Sequence, residues 1–208
     1  MPAGTTNILV VRHGQSEWNR ERRWQGHADS PLSELGVEQA VAAADALRDD
    51  CPPFDAVLAS DLCRASHTAE LLAAALGLGA VRLDARLREA GAGEWQGLTP
   101  EEIARLWPGW LEAGRRPPGA EPHAAAGERF LAALRDASAA LPGAHVLVVS
   151  HSGVLRAARR LVGAPDVKFP NLAGAWFHVG RPVGAGEAEV RGGAVFLPLA
   201  PREDSVVE

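Results

Sequence analysis

The chain has 208 residues, 47% of them hydrophobic and 23% charged, the balance of a soluble globular protein with a substantial core. Its net charge of −5 lacks the basic excess that nucleic acid or an anionic membrane surface attracts, so neither is an expected partner. Cys51 and Cys63 are too few for a disulfide framework and lack metal-ligand spacing; no signal peptide or transmembrane run is visible, and a cytoplasmic setting is expected.

Taken in chain order, the first element is an apolar run over residues 7–12, read as a buried strand that ends on Arg12-His13-Gly14. Ser33 then caps a helix with Val37, Ala40, Val41, Ala44 and Leu47 on its apolar face. A second strand over 56–60 leads to a helix capped by Asp61 and striped by Leu62, Ala65, Ala69, Leu72 and Leu76. A short strand follows at 81–84. Residues 98–126 break the rhythm with Trp107, Pro108, Trp110, Arg115, Arg116 and the turn Pro117-Pro118-Gly119. That stretch reads either as a lid over one end of the sheet or as an insert packed by its tryptophans for stability alone.

The alternation then resumes. A helix through Phe130, Leu131, Leu134, Ala137 and Leu141 stops at Pro142-Gly143. A strand over 145–150 ends on His151-Ser152-Gly153, an echo of the first strand. One more helix uses Val154, Leu155, Ala158, Leu161 and Val162. Strands at 175–179 and 194–199, with turns at Gly184 and Gly192-Gly193, suggest a closing hairpin. The expected fold is α/β: a three-layer α/β/α single domain over 1–200, with a mainly parallel sheet of about six strands, a helical insert over the active-site end and a flexible tail at 201–208.

Ligands of such folds bind beyond the carboxyl ends of parallel strands. Two histidines and an arginine delivered there suit phosphoryl chemistry. His13 is the candidate nucleophile, since a histidine splits one hard displacement into two easier ones. Arg12, Arg64 and His151 can hold the oxygens of the transferring group. Glu89, on a loop after the third strand, can protonate the leaving oxygen if apolar neighbours keep it protonated. A serine-hydrolase elbow fails because Ser150 stands where glycine is required. His27, His67, His123, His145 and His178 are read as packing or surface residues.

In order along the chain, the segments 9–19, 24–33, 60–69, 87–97 and 148–153 resemble the histidine phosphatase superfamily, in its phosphoglycerate-mutase-like branch. The resemblance implies a metal-independent, cofactor-free phosphomonoesterase acting through a phosphohistidine on His13, with Glu89 as proton donor. It adds Asn19 and Gln25 to the phosphate pocket, and with them Gly26 and Ser152 among the substrate-binding residues. A small-molecule phosphomonoester is the expected partner, and a homodimer is left open.

Mutases of this branch carry tyrosine- and lysine-containing segments between the acid and the second histidine. This chain has no tyrosine and no lysine there, which favours hydrolysis over the alternative of phosphoglycerate-mutase transfer. A non-catalytic phosphate-binding module is the third reading. The run from Leu87 to Thr99 is similar to glucosyl-3-phosphoglycerate and broad-specificity phosphatases. The family's Pro-Gly-Gly-Glu-Ser is altered here to Pro118-Gly119-Ala120-Glu121-Pro122, where substrate beyond the phosphate is contacted. Arg115 and Arg116 are candidates to pair with a substrate carboxylate.

Overall fold

The computed structural model describes residues 4–180 and 188–196; Gly184 and the expected tail lie outside them. Six strands form one sheet: β1 (Thr6–Arg12), β2 (Ala56–Ala59), β3 (Arg82–Leu83), β4 (His145–Ser150), β5 (Gly174–Gly180) and β6 (Glu189–Phe196), in the spatial order β3-β2-β4-β1-β5-β6. The first four of that order run parallel, and β5 and β6 run antiparallel at the edge.

Strand composition explains the layering. Ile8, Leu9, Val10 and Val11 are wholly buried, as a strand covered on both faces requires. Because side chains alternate, Ile8 and Val10 of β1 join Val146 and Val148 of β4 in one core, while Leu9 and Val11 join Leu147 and Val149 in the other. The first core is closed by Phe130, Leu134, Val154 and Leu155 from α5 (His123–Ala140) and α6 (Ser152–Leu161). The second is closed by Ala44, Leu47, Ala69 and Leu72 from α2 (Glu34–Asp50) and α3 (Cys63–Leu76), and the single turn α1 (Glu17–Arg20) precedes them after β1. The chain therefore leaves β1 toward one face and neighbouring β4 toward the other. This makes a crevice at their carboxyl ends, a topological switch point where open α/β sheets bind ligands.

Four local expectations change. Asp61 does not cap α3; Leu62 takes that position without a side-chain bond, and the Cys63 N–H donates to Asp29 Oδ1 at 2.6 Å. Asp61 instead grips the Arg88 guanidinium at 2.5 and 2.7 Å. Val41 is 53% exposed on the outer side of α2, its expected place taken by Ala43. Leu161 is 44% exposed at the end of α6. Gly192-Gly193 lies inside β6, which begins earlier than the apolar run implies, because a Cβ on Gly193 would stand 2.7 Å from His178 Nε2. The glycines permit a close strand approach rather than a turn.

The insert holds α4 (Pro100–Leu106) and the first turn of α5; α4 is opened by a capping box in which Thr99 and Glu102 satisfy each other's backbone N–H groups. Trp95 is buried edge-on between Trp24 and Trp107, with ring centroids 5.1 and 6.3 Å away. Among the described residues no helix is long and apolar enough to cross a membrane.

Candidate active site

A cavity of about 290 Å³ opens at the carboxyl ends of β1 and β4. All nine residues picked from the sequence line it: Arg12, His13, Asn19, Gln25, Gly26, Arg64, Glu89, His151 and Ser152.

Parallel register puts Arg12 opposite Ser150, so His13 and His151 leave adjacent strands at the same level. Their rings meet edge to face with centroids 5.0 Å apart. Gly14 allows this turn to sit deep: a Cβ there would be 2.5 Å from the Gly36 carbonyl at the start of α2. The Gly14 N–H is tied to Thr68 Oγ1 of α3, and the His13 carbonyl accepts from Asn171 Nδ2.

The His13 ring is oriented by its own backbone. Nδ1 lies 2.6 Å from the Gly14 carbonyl, an acceptor, so Nδ1 carries the proton and Nε2 keeps its lone pair. His151 Nε2 lies 3.0 Å from Ser60 Oγ. Burial first, then Arg64, holds both imidazoles well below their ordinary 6.5, so both are neutral at neutral pH.

The arginines are anchored by carbonyls, not carboxylates. Arg12 Nη1 donates to Phe169 O at 2.9 Å; Arg64 Nη1 and Nη2 donate to Ala28 O and Gly26 O at 2.7 and 2.9 Å. Burial lowers the Arg64 guanidinium to about 10, and it remains charged at neutral pH. Among the described residues, the buried Nε of Arg12, Arg64 and Arg116, Nε1 of Trp24 and Trp95, Nδ1 of His151 and Oγ of Ser152 have no hydrogen-bond partner, and all seven residues line the cavity. Those of Arg12, Arg64, His151 and Ser152, beside His13, match an incoming oxyanion.

Glu89 is placed differently from the apolar setting expected. Its oxygens accept backbone N–H groups from Ala90, Gly153 and Val154 at 2.7 to 2.9 Å, at the start of α6. Gly153 makes this possible, because a Cβ there would stand 2.7 Å from Glu89 Oε1. The loop is clamped from behind. Arg129 of α5 donates to the carbonyls of Arg86, Arg88 and Glu89 and to both oxygens of Glu121. His27 Nε2 also reaches the Glu89 carbonyl at 2.8 Å.

Asn19 and Gln25 bind one another's neighbourhood through Ser16. Asn19 Oδ1 accepts from the Ser16 N–H, and Gln25 Oε1 accepts from Ser16 Oγ. Arg115 packs over the Trp110 ring at 5.5 Å. Arg116 is tied to the Gly91 carbonyl and to His123. Sequence reading missed Ser60, Arg129, Glu121, Arg156 and Arg160, and it placed His123 with packing or surface residues although it lines the cavity. One signal was available: Ser152, Arg156 and Arg160 repeat every four residues, a polar stripe on α6.

The neutral histidines set a pH dependence for the free protein. An unfolded chain protonates them below about pH 6.5, whereas the native fold does so only at a lower pH. Stability is therefore expected to fall as pH drops below about 6.5, by up to ~1.4 kcal/mol per pH unit for each histidine. Scanning fluorimetry should show Tm declining between pH 7.5 and 5.5, with a shallower slope in His151→Gln. An equal slope in both proteins would count against these histidines as its source.

Residues 8–178 match the profile of the histidine phosphatase superfamily (branch 1). The chain is 39% identical over 181 residues to a glucosyl-3-phosphoglycerate phosphatase of Mycobacterium tuberculosis, covering 80% of each chain. It is 39% identical over 157 residues to a probable phosphoglycerate mutase of Yersinia pestis, covering 71% of this chain and 70% of that one. Among solved structures, a mycobacterial glucosyl-3-phosphoglycerate phosphatase in complex with VO3 superposes with a TM-score of 0.74 at 32% identity, over 91% of this chain and 97% of the other. With two neutral histidines and two buried arginines converging on one crevice, and with matches spanning the greater part of its length, the chain belongs to the histidine phosphatase superfamily.

Proposed function

We propose that this protein hydrolyses small-molecule phosphate monoesters, of sugar phosphate or phosphoglycerate type and with glucosyl-3-phosphoglycerate among the candidates, through a phosphohistidine on His13 and without a metal. The observation that carries the reading is the 2.6 Å contact from His13 Nδ1 to the Gly14 carbonyl, which leaves an Nε2 lone pair facing a cavity that Arg12 and Arg64 line.

In the first step Nε2 attacks phosphorus, and the P–O bond to the leaving group breaks as Glu89 gives that oxygen a proton. A dianionic ester beside Glu89 raises the carboxyl's affinity for the proton it must donate. Arg12, Arg64, His151 and Ser152 hold the equatorial oxygens as charge shifts onto them. In the second step water attacks the phosphohistidine, Glu89 takes its proton, and His13 is regenerated with inorganic phosphate. Asn19, Gln25 and Gly26 complete the pocket wall, and the 98–126 insert contacts the rest of the ester through Leu111, Arg115 and Arg116.

Phosphate release from a panel of monoesters in excess chelator tests this directly. Release that survives chelation, with an acid-labile, base-stable phosphoenzyme trapped on quenching, is the expected result. The similarity to a probable mutase keeps one other acceptor in view. Transfer to a second hydroxyl of phosphoglycerate, without phosphate release, would replace hydrolysis by isomerisation.

A further inference from the structure

The tautomer of the nucleophile hangs on one carbonyl. His13 Nδ1 meets Gly14 O at 2.6 Å, and while that oxygen faces the ring, Nε2 keeps the lone pair. The carbonyl belongs to the peptide between Gly14 and Gln15, and its direction is set by a glycine. With no Cβ, Gly14 lets this peptide plane turn more freely than another residue would. Glycine is nonetheless required there, because a Cβ would stand 2.5 Å from the Gly36 carbonyl. The direction of the acceptor must therefore be fixed by contacts from outside the residue.

Helix α2 supplies them. A peptide is a rigid plane, so holding the Gln15 N–H also holds the Gly14 carbonyl on the opposite edge. That N–H donates to Gln39 Oε1 at 2.8 Å. The Gln39 oxygen, not its amide nitrogen, faces Gln15, since a backbone nitrogen only donates. The following carbonyl, Gln15 O, accepts from Ser33 N at 2.9 Å and Ser33 Oγ at 3.2 Å, and a Cβ on Gly36 would strike it. Gln39 follows Gly36 by three residues, on the same side of the helix. Bonds on both edges of one peptide also polarise each other: acceptance at Gln39 strengthens the Gly14 oxygen as acceptor for Nδ1–H.

We propose that Gln39, which stands outside the cavity lining, is a positioning residue for the nucleophile: by holding the Gln15 N–H it keeps the Gly14 carbonyl turned to His13 Nδ1 and the attacking lone pair on Nε2. The inference rests on the phosphohistidine reading of the same site and adds to it the group that sets the tautomer from behind.

Two variants test it. Gln39→Leu removes the acceptor at similar size, and Gln39→Glu keeps an acceptor in the same place. Nitrogen-15 NMR of histidine-labelled protein reads the tautomer, with the His13 signals identified by their loss in His13→Ala. The wild type should carry its proton on Nδ1, Gln39→Leu should show both tautomers, and Gln39→Glu should restore the wild-type pattern. Kinetics give the second readout. In Gln39→Leu, kcat/KM for p-nitrophenyl phosphate is expected to fall about 10- to 100-fold, the effect of a misdirected reacting group. Affinity for inorganic phosphate should stay within about threefold, because the carbonyls that anchor Arg12 and Arg64 lie outside α2. Gln39→Glu should return kcat/KM to within about threefold of wild type. A glutamine that merely supports the fold would lower rate and phosphate affinity together, with no rescue by glutamate. An unchanged His13 tautomer in Gln39→Leu overturns the assignment, and so does an unchanged rate. If the wild type releases phosphate from no ester, the hydrolase reading is at fault, and the tautomer comparison alone decides the place of Gln39.

Discussion

Replacing His13 with alanine is expected to stop turnover on every ester, by a factor on the order of 10⁴ to 10⁶, while leaving phosphate binding in place. The size follows from the role: without the Nε2 lone pair of His13 the phosphohistidine has no nitrogen to form on. Binding persists because the charge lies elsewhere. Arg12 and Arg64 are anchored by the carbonyls of Phe169, Ala28 and Gly26, and none of those bonds passes through His13. Inorganic phosphate should therefore still raise the Tm of the variant, and the trapped phosphoenzyme should disappear. Retained labelling would place the phosphoryl group on another residue. Activity within tenfold of wild type would leave the phosphohistidine mechanism without support.

How much of this is legible in the sequence follows from the range of each interaction. Strands β1 and β4 are written in unbroken β-branched and leucine runs, and the motifs at their ends are local, so residue order places both histidines and Arg12; Arg64 follows β2, in the first turn of α3. The helices show their buried stripes for the same reason. What escapes depends on contacts between distant segments. Asp61 looks like a cap in sequence, yet Arg88 claims it, and the orphan N–H of α3 goes to Asp29, 34 positions away. Glu89 is found, but its setting is misread, since the three N–H groups that hold it come partly from α6, 64 residues downstream. Arg129 and Glu121 give no signal because a buried clamp and a solvated ion pair are spelled alike. Hydropathy assigns Val41 to the core; the rotation of α2 over the sheet decides otherwise.

Glu89→Gln is expected to separate leaving groups. An alkyl phosphate needs its oxygen protonated as the bond breaks, so kcat/KM for a sugar phosphate should fall about 10²- to 10⁴-fold. p-Nitrophenyl phosphate leaves as a stable phenolate, and its kcat/KM, which reports only the step up to phosphohistidine formation, should fall less than about tenfold. Its kcat should drop more steeply, because the second step needs Glu89 as base, and phosphohistidine should accumulate. Glutamine is not innocent here. It offers one acceptor oxygen where three backbone N–H groups converge, and its amide sets a donor against one of them. The ratio between esters resolves that ambiguity, since a displaced side chain that distorts the phosphate pocket slows both substrates alike. Gly153→Ala supplies the check from outside the reacting groups: its methyl intrudes on Glu89 Oε1, so the same split between alkyl and aryl esters should appear in weaker form. A uniform loss in both variants would move Glu89 from proton transfer to a purely structural place at the head of α6.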